Sequence, residues 1–376
     1  MLHHLIRMVA MTLLALMPSG CRPSASEHLP AGYPGSYAGL IQQAREEKEL
    51  LIWSAVDSRK AQPLIAAFRR HYPFLAVNFV EMPGAGLNRV FIAKVDSGEK
   101  AADFLWSSAM DLQIKLANDG YAASYASPER QHLPDWANWK SQAWGTTAEP
   151  IVIIYNRRLI EAAAVPRGHA ALSRLLEGRP AGLAGRVATY DLPRSAVGYL
   201  YLSQDQQASH DSWRMVEAMG LNGVRLFANA EEIVRDVVAG HSAIGYNIVG
   251  SFALEQAQRH PDLGIVFPRD YTLLMSRIAI IPVTATHPSA ARLFLDFLLS
   301  REGQSYLVAA HMPSVRDDLP RPAGLDPTDV PLRAIRVGPA LLVDQDQLTR
   351  RYLLARWTQA MNPARIALAS TTPSNR

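Results

Sequence analysis

The chain has 376 residues, 48% of them hydrophobic and 19% charged, enough to bury a sizeable core and to divide into two domains. Its net charge of +4 comes from scattered Lys and Arg, with no basic run and no aromatic-studded basic strand, which argues against nucleic acid and leaves small anions as the one charge-based hint. After the first twenty residues no apolar run approaches the roughly 20 residues that a transmembrane helix requires.

The only cysteine, Cys21, follows an apolar segment from Met8 to Met17 that is preceded by Arg7 and two histidines. This is the layout of a secretory signal, and a single cysteine permits no intramolecular disulfide. Pro18-Ser19-Gly20-Cys21 resembles a bacterial lipobox, with Pro18 where an aliphatic residue is usual. The resemblance implies that Cys21 is lipidated, becomes the mature N-terminus and is held at a membrane face by several acyl chains. Residues 22–36, rich in Pro, Gly and Ser, read as a flexible tether.

From Ser36 onward, helix and strand patterns alternate. Ser36 is placed to cap a helix through Lys48 with Leu40, Ile41 and Ala44 on one face. Residues 50–54, LLIWS, read as a buried strand ending on a hydroxyl, and a helix over 58–71 is stopped by Tyr72-Pro73. Residues 76–80 alternate as a second strand. Pro83-Gly84-Ala85-Gly86 turns into a helix ending near Gly98, and residues 102–106 form a third strand that delivers Ser107 and Ser108 to its carboxyl end. A helix over 109–118 stops at Gly120. Units of this length predict parallel pairing, with ligands met at the carboxyl ends of strands. Residues 121–145, with three tryptophans and little periodicity, read as a long surface loop overhanging a cleft.

The apolar run Ile151 to Tyr155, bounded by Pro150 and Asn156-Arg157-Arg158, reads as a short strand carrying the chain into a second α/β half. The cleft beside it is the default place for a ligand. Then follow a helix over 170–177, a strand over 186–190, and a helix starting at Ser195 or just after. Helices over 212–219, 230–239 and 250–258 come next, with strands over 225–228, 242–246 and 263–267 between and after them. Residues 273–282, with MSRIAIIP at their heart, read as a return crossover strand, and helices over 288–299, 302–309 and 344–361 close the fold. The expected division is a signal to residue 21, a tether to 36, and the first part of lobe 1 over 37–148. The crossover and lobe 2 span 149–270, the return to lobe 1 with C-terminal helices 271–362, and a disordered tail 363–376.

Several stretches, in this order, carry a resemblance: LLIWSAVDSRKAQPLIAAFRRHYP, ADFLWSSAMDLQIKLANDGY, EPIVIIYNRR, GRVATYDLPRSAVGYLYL, VVAGHSAIGYNIVGSFA and TATHPSAARLFLDFLLSREGQSYL. Together they resemble the extracellular solute-binding proteins of bacterial ABC importers, in the branch related to iron(III), phosphoglycerate and 2-aminoethylphosphonate binders, over about residues 45–360. The resemblance implies an α/β, two-lobed periplasmic-binding-protein fold of type II, each lobe a mainly parallel sheet flanked by helices and the two joined by crossover strands. It also implies a periplasmic monomer that closes on a solute and delivers it to an ABC permease in the inner membrane. Iron-binding members carry two adjacent tyrosines shortly after a segment like AGHSAIGYN, and phenolate oxygens suit hard Fe(III). Here Tyr246 is followed by Asn247, Ile248 and Val249, and Tyr199 and Tyr201 would point about 200° apart on a helix. Iron is thereby demoted and a phosphonate, phosphate ester or carboxylate promoted. An Fe(III) site built from other oxygens, or a sensory member signalling to a membrane kinase, are the alternatives.

Anion binding needs donors that converge on oxygens. Arg194 and Ser195, at a predicted helix start, combine a guanidinium with free N–H groups and the positive end of the helix dipole; a plain N-cap beside a surface charge accounts for them equally well. Ser54, Ser107 and Ser108, at strand ends, supply the opposing lobe. Tyr246 and Asn247 stand at the end of a second-lobe strand, and Asp57 and Asp191 would suit an amine on the ligand. The sequence carries no HExxH, P-loop or GxSxG pattern, so no catalytic residue, metal or cofactor is expected.

Overall fold

The computed structural model describes residues 29–325 and 329–362. The signal segment with Cys21, the tether up to residue 28 and the tail from 363 lie outside the described residues.

The first half alternates as α1 (Tyr37–Glu47), β1 (Glu49–Ser54), α2 (Ser58–His71), β2 (Ala76–Glu81), α3 (Gly84–Asp96), β3 (Phe104–Ser107) and α4 (Met110–Asn118). β1 pairs parallel with both β2 and β3. α2 matches its expected limits because its signals are local: the Asp57 carboxylate accepts from the Arg59 N–H, Leu64, Ile65 and Phe68 turn inward, and three basic residues fill the last turn. α1 starts differently from expectation. Ser36 makes no side-chain cap; the helix is fixed by Tyr37, whose hydroxyl donates to the buried Asp296 at 2.9 Å.

Residues 121–145 are not an overhanging loop. They turn through two short 3-10 segments into the antiparallel pair β4 (Asn138–Trp139) and β5 (Ala143–Gly145), with Trp144 fully buried. Strands of two and three residues are too short to show a period, so the tryptophans hid them.

The second half runs β6 (Glu149–Asn156), α5 (His169–Glu177), β7 (Val187–Tyr190), α6 (Ala196–Ala208), α7 (Ser212–Leu221), β8 (Arg225–Phe227), α8 (Ala230–Val238), β9 (Ile244–Val249), α9 (Gly250–Arg259), β10 (Leu263–Val266) and β11 (Thr272–Met275). It continues with β12 (Ile278–Ile280), α10 (Pro288–Leu299), α11 (Arg301–Ala309), β13 (Leu332–Ala334), α12 (Ala340–Val343) and α13 (Gln347–Met361). The first sheet has the order β2-β1-β3-β12-β5-β4, and the second β13-β11-β6-β9-β7-β8, with β10 also on β6. Within the second sheet β7 runs parallel to β8 and β9, whereas β6 is antiparallel to β9, β10 and β11.

The expected return strand is in fact two strands in two sheets: β11 pairs with β6 in lobe 2, β12 with β3 and β5 in lobe 1, and the break falls at Ser276-Arg277. The C-terminal segment also departs from a simple return to lobe 1. β13 joins β11 in lobe 2, the Val337 N–H donates to Trp136 O in lobe 1, α12 packs on α4, and α13 crosses back to pack on α7. Leu353, Trp357 and Ala360 of α13 share an apolar cluster with Leu192, Tyr199, Leu202 and Val216. Gly220 of α7 permits this approach, since a Cβ there would lie 1.9 Å from the carbonyl oxygen of Ala360.

In each lobe a buried carboxylate gathers donors from several elements. In lobe 1 Asp296 accepts from Tyr37, Tyr125 and Ser127, and burial pushes its carboxyl up to about 7. In lobe 2 Asp205 accepts from the Tyr246 hydroxyl at 2.8 Å, the Asn247 amide at 2.7 Å and the Tyr271 hydroxyl at 2.9 Å.

Candidate functional site

Parallel strands aim their carboxyl ends at the same edge, and the two sheets bring those edges face to face. The turn from β1 into α2, Ala55 to Lys60, lies opposite the start of α8 and the inner side of α9 across a cavity of about 560 Å³, with Arg277 of the crossover on its wall. That size suits a small solute. Basic side chains on the wall, Arg59, Lys60, Arg235, Arg259 and Arg277, outnumber the acidic Asp57, Glu231 and Glu255. Lys60 pairs with Glu255 from the other lobe at 2.6 Å, Glu255 also holds Arg259 at 2.8 Å, and Arg59 pairs with Asp57 at 2.8 Å. Arg235 is in no ion pair among the described residues.

The crossover strands are stitched to each other beside this cavity. The Thr146 N–H donates to Arg277 O at 2.9 Å, the Arg277 N–H to the Thr147 hydroxyl at 3.0 Å, and the Thr147 N–H to the Ser276 hydroxyl at 3.2 Å. Arg277 grips Glu149 with two bonds, Nε to Oε1 at 2.7 Å and Nη2 to Oε2 at 3.2 Å. Glu149 is fully buried and also accepts from the Thr147 and Ser251 hydroxyls. Burial alone would raise its pKa, but the Arg277 charge and these bonds hold it below the usual carboxylate value, so it stays ionised.

None of the seven residues proposed from sequence lines this cavity. Ser54 donates to Trp106 O and accepts from the Val56 N–H, and Ser107 accepts from the Ala109 N–H, so both close local turns and are fully buried. Ser108 is half-buried at the start of α4. Ser195 caps α6 by accepting from the Gly198 N–H, and the side chain of Arg194 is 64% exposed, 3.9 Å from Asp191. Tyr246 and Asn247 lie within β9, short of its end at Val249, and their polar groups turn into lobe 2, onto Asp205. Tyr199 and Tyr201 are both buried, as their reading as packing residues implied. Sequence reasoning missed the cavity's cations. One of them left a trace, since Arg277 is a lone charge inside the apolar run LLMSRIAIIP, and a charge there needs a buried partner or a function.

Among the described residues no helix is long and apolar enough to cross a membrane, and no group of three or more His, Cys, Asp or Glu side chains is placed to hold a metal ion.

The family profile described as bacterial extracellular solute-binding protein matches residues 64–324. The chain belongs to that family. Its place is therefore outside the cytoplasm, and its role is solute capture, not catalysis. Among solved structures, this solute-binding protein is similar to the substrate binding protein of the ABC transporter from Agrobacterium tumefaciens, with 37% identity, a TM-score of 0.76, and coverage of 84% of this chain and 94% of that one. In fold it also resembles the periplasmic binding protein AfuA from Actinobacillus pleuropneumoniae, whose structure holds fructose 6-phosphate, at 17% identity, TM-score 0.69 and coverage of 84% and 98%. The ferric binding protein from Campylobacter jejuni is similar at 15% identity, TM-score 0.67 and coverage of 84% and 98%. No curated protein matches the chain. These likenesses agree with the two-lobed α/β fold expected from sequence.

Proposed function

We propose that this protein is the substrate-binding component of an ABC importer, capturing a small anionic solute such as a phosphonate, phosphate ester or carboxylate between its lobes and delivering it to an inner-membrane permease. The observation that carries the anionic reading is the surplus of basic side chains around a cavity whose two walls belong to different lobes. Only when the walls approach can donors from both reach one ligand, so a solute that binds both shifts the open–closed equilibrium toward closure. The importer reading is supported by the similarity to the Agrobacterium tumefaciens substrate binding protein. Lipid on Cys21 would keep the protein at the outer face of the inner membrane, near its permease.

A thermal-shift screen tests this, with inorganic phosphate, phosphonates, sugar phosphates, small carboxylates and Fe(III) as probes. A ligand at 100 times its dissociation constant adds about 2.7 kcal/mol of stability, which raises the unfolding midpoint measurably. Stabilisation by an organic anion is expected. Stabilisation by Fe(III) alone would replace the anionic reading with a ferric one.

A further inference from the structure

We infer that Arg277, oriented by Glu149, is the fixed anchor for the anionic group of the solute, and that Glu149 is its positioning residue. The inference rests on the anionic reading of the cavity and names the contact that reading requires.

The cavity's cations differ in how firmly they are held. Arg59 and Arg259 are exposed side chains on α2 and α9, Arg235 is exposed on α8, and Lys60 is occupied by Glu255. Long exposed cations lose side-chain entropy when a ligand orders them. Arg277 is only 14% exposed and already ordered. A guanidinium has five N–H donors in a rigid fork. The grip on Glu149 uses Nε and one N–H of Nη2, and no described protein group takes the donors of Nη1. Two oxygens of a carboxylate, phosphonate or phosphate would fit that free edge.

Glu149 cannot turn away, because Thr147 and Ser251 hold its oxygens while Arg277 holds both. Thr147 lies on the crossover and Ser251 in the first turn of α9, so the carboxylate is fixed from the hinge and from lobe 2 together. Arg277 is itself bound through its backbone to the opposite crossover strand. A group at the hinge moves least when two lobes rotate, so the anchor keeps its geometry in the open form and the rim cations on α2 and α9 arrive on closure. Preorganisation of this kind lowers the cost of binding.

Calorimetry with inorganic phosphate, methylphosphonate, fructose 6-phosphate and citrate provides the test. Arg277→Lys keeps a positive partner for Glu149, and so the fold, but loses the fork; it is expected to weaken whichever probe binds the wild type by about 30-fold or more. Glu149→Gln frees the guanidinium and is expected to cost about 10-fold, with the Glu149→Gln/Arg277→Lys double variant no weaker than Arg277→Lys alone, because one residue acts through the other. Additive losses would reduce Glu149 to a structural role and overturn the positioning. Wild-type affinity in Arg277→Lys would overturn the anchor while leaving the anionic cavity standing. Failure of every probe to bind the wild type would overturn the anionic reading, and the anchor with it.

Discussion

Lys60 of α2 and Glu255 of α9 meet at 2.6 Å from opposite lobes, both side chains largely shielded from water. The pair spans the same cavity that the solute is proposed to enter, and Glu255 is shared with Arg259 of its own helix. A direct ion pair between lobes favours the closed arrangement before any ligand arrives.

Replacing Lys60 with Met should therefore open the unliganded protein. A pair of this kind contributes up to about 1 kcal/mol, so the closed fraction should fall by as much as about fivefold. Small-angle scattering should show a larger radius of gyration for the variant, and a salt sensitivity in the wild type that the variant lacks. Identical scattering of the two proteins at low salt would show that the pair does not hold the lobes.

Gly220→Ala is expected to lift α13 from α7. The added methyl would meet the Ala360 carbonyl, which is backbone and cannot rotate aside. Overpacking of this sort costs about 1–3 kcal/mol. Hydrogen exchange should speed up across residues 347–361 and stay unchanged in the first sheet; unchanged protection of α13 would contradict the close approach.

The carboxyl of Asp296 gives lobe 1 a pH dependence of definite sign. Its folded pKa of about 7 lies above the ordinary 3.8, chiefly through burial, with Ser127, Tyr125 and Tyr37 opposing the rise. The stabilisation it provides is complete below about pH 4 and is lost as pH rises through about 7. Urea unfolding at pH 5 and pH 8 should show Asp296→Asn gaining stability relative to the wild type as pH increases, and a carbon-13 titration of the Asp296 carboxyl should have its midpoint near 7. A midpoint near 4 would remove Asp296 as the source.

Cys21→Ser tests the anchor at the N-terminus. The wild type is expected to sediment with membranes and the variant to be recovered in the soluble extracytoplasmic fraction; membrane association of the variant would rule out lipid on Cys21.

What the sequence disclosed depended on the range of each signal. α2 and the start of α6 were legible because Asp57 and Ser195 sit next to the N–H groups they cap. Several strand ends were also legible, as for β1 and β2, but β9 runs on to Val249 past the expected 246. The occupants of the cleft were not legible, because a hydroxyl at a strand end does not reveal whether it faces a ligand or closes its own turn, as Ser54 and Ser107 do. The partner of Tyr246 and Asn247 was hidden for a long-range reason: Asp205 is about forty residues away on α6. The split of residues 273–282 between two sheets likewise rests on distant pairings, of β11 with β6 and of β12 with β3 and β5.

The route of the C-terminal segment has a mechanical meaning. Two crossover strands alone would make a narrow ribbon, about which lobes can both bend and twist. Here Ile335 bonds to Leu274 beside those strands, Val337 reaches Trp136, Gln345 bonds to Asp111 of lobe 1, and Tyr199 of lobe 2 donates to Asp344 O at 2.5 Å. With so little slack between successive attachments, the joint behaves like the spine of a bound book. Such a joint should resist torsion more than bending, which makes the distance between Lys60 and Glu255 the natural measure of any opening.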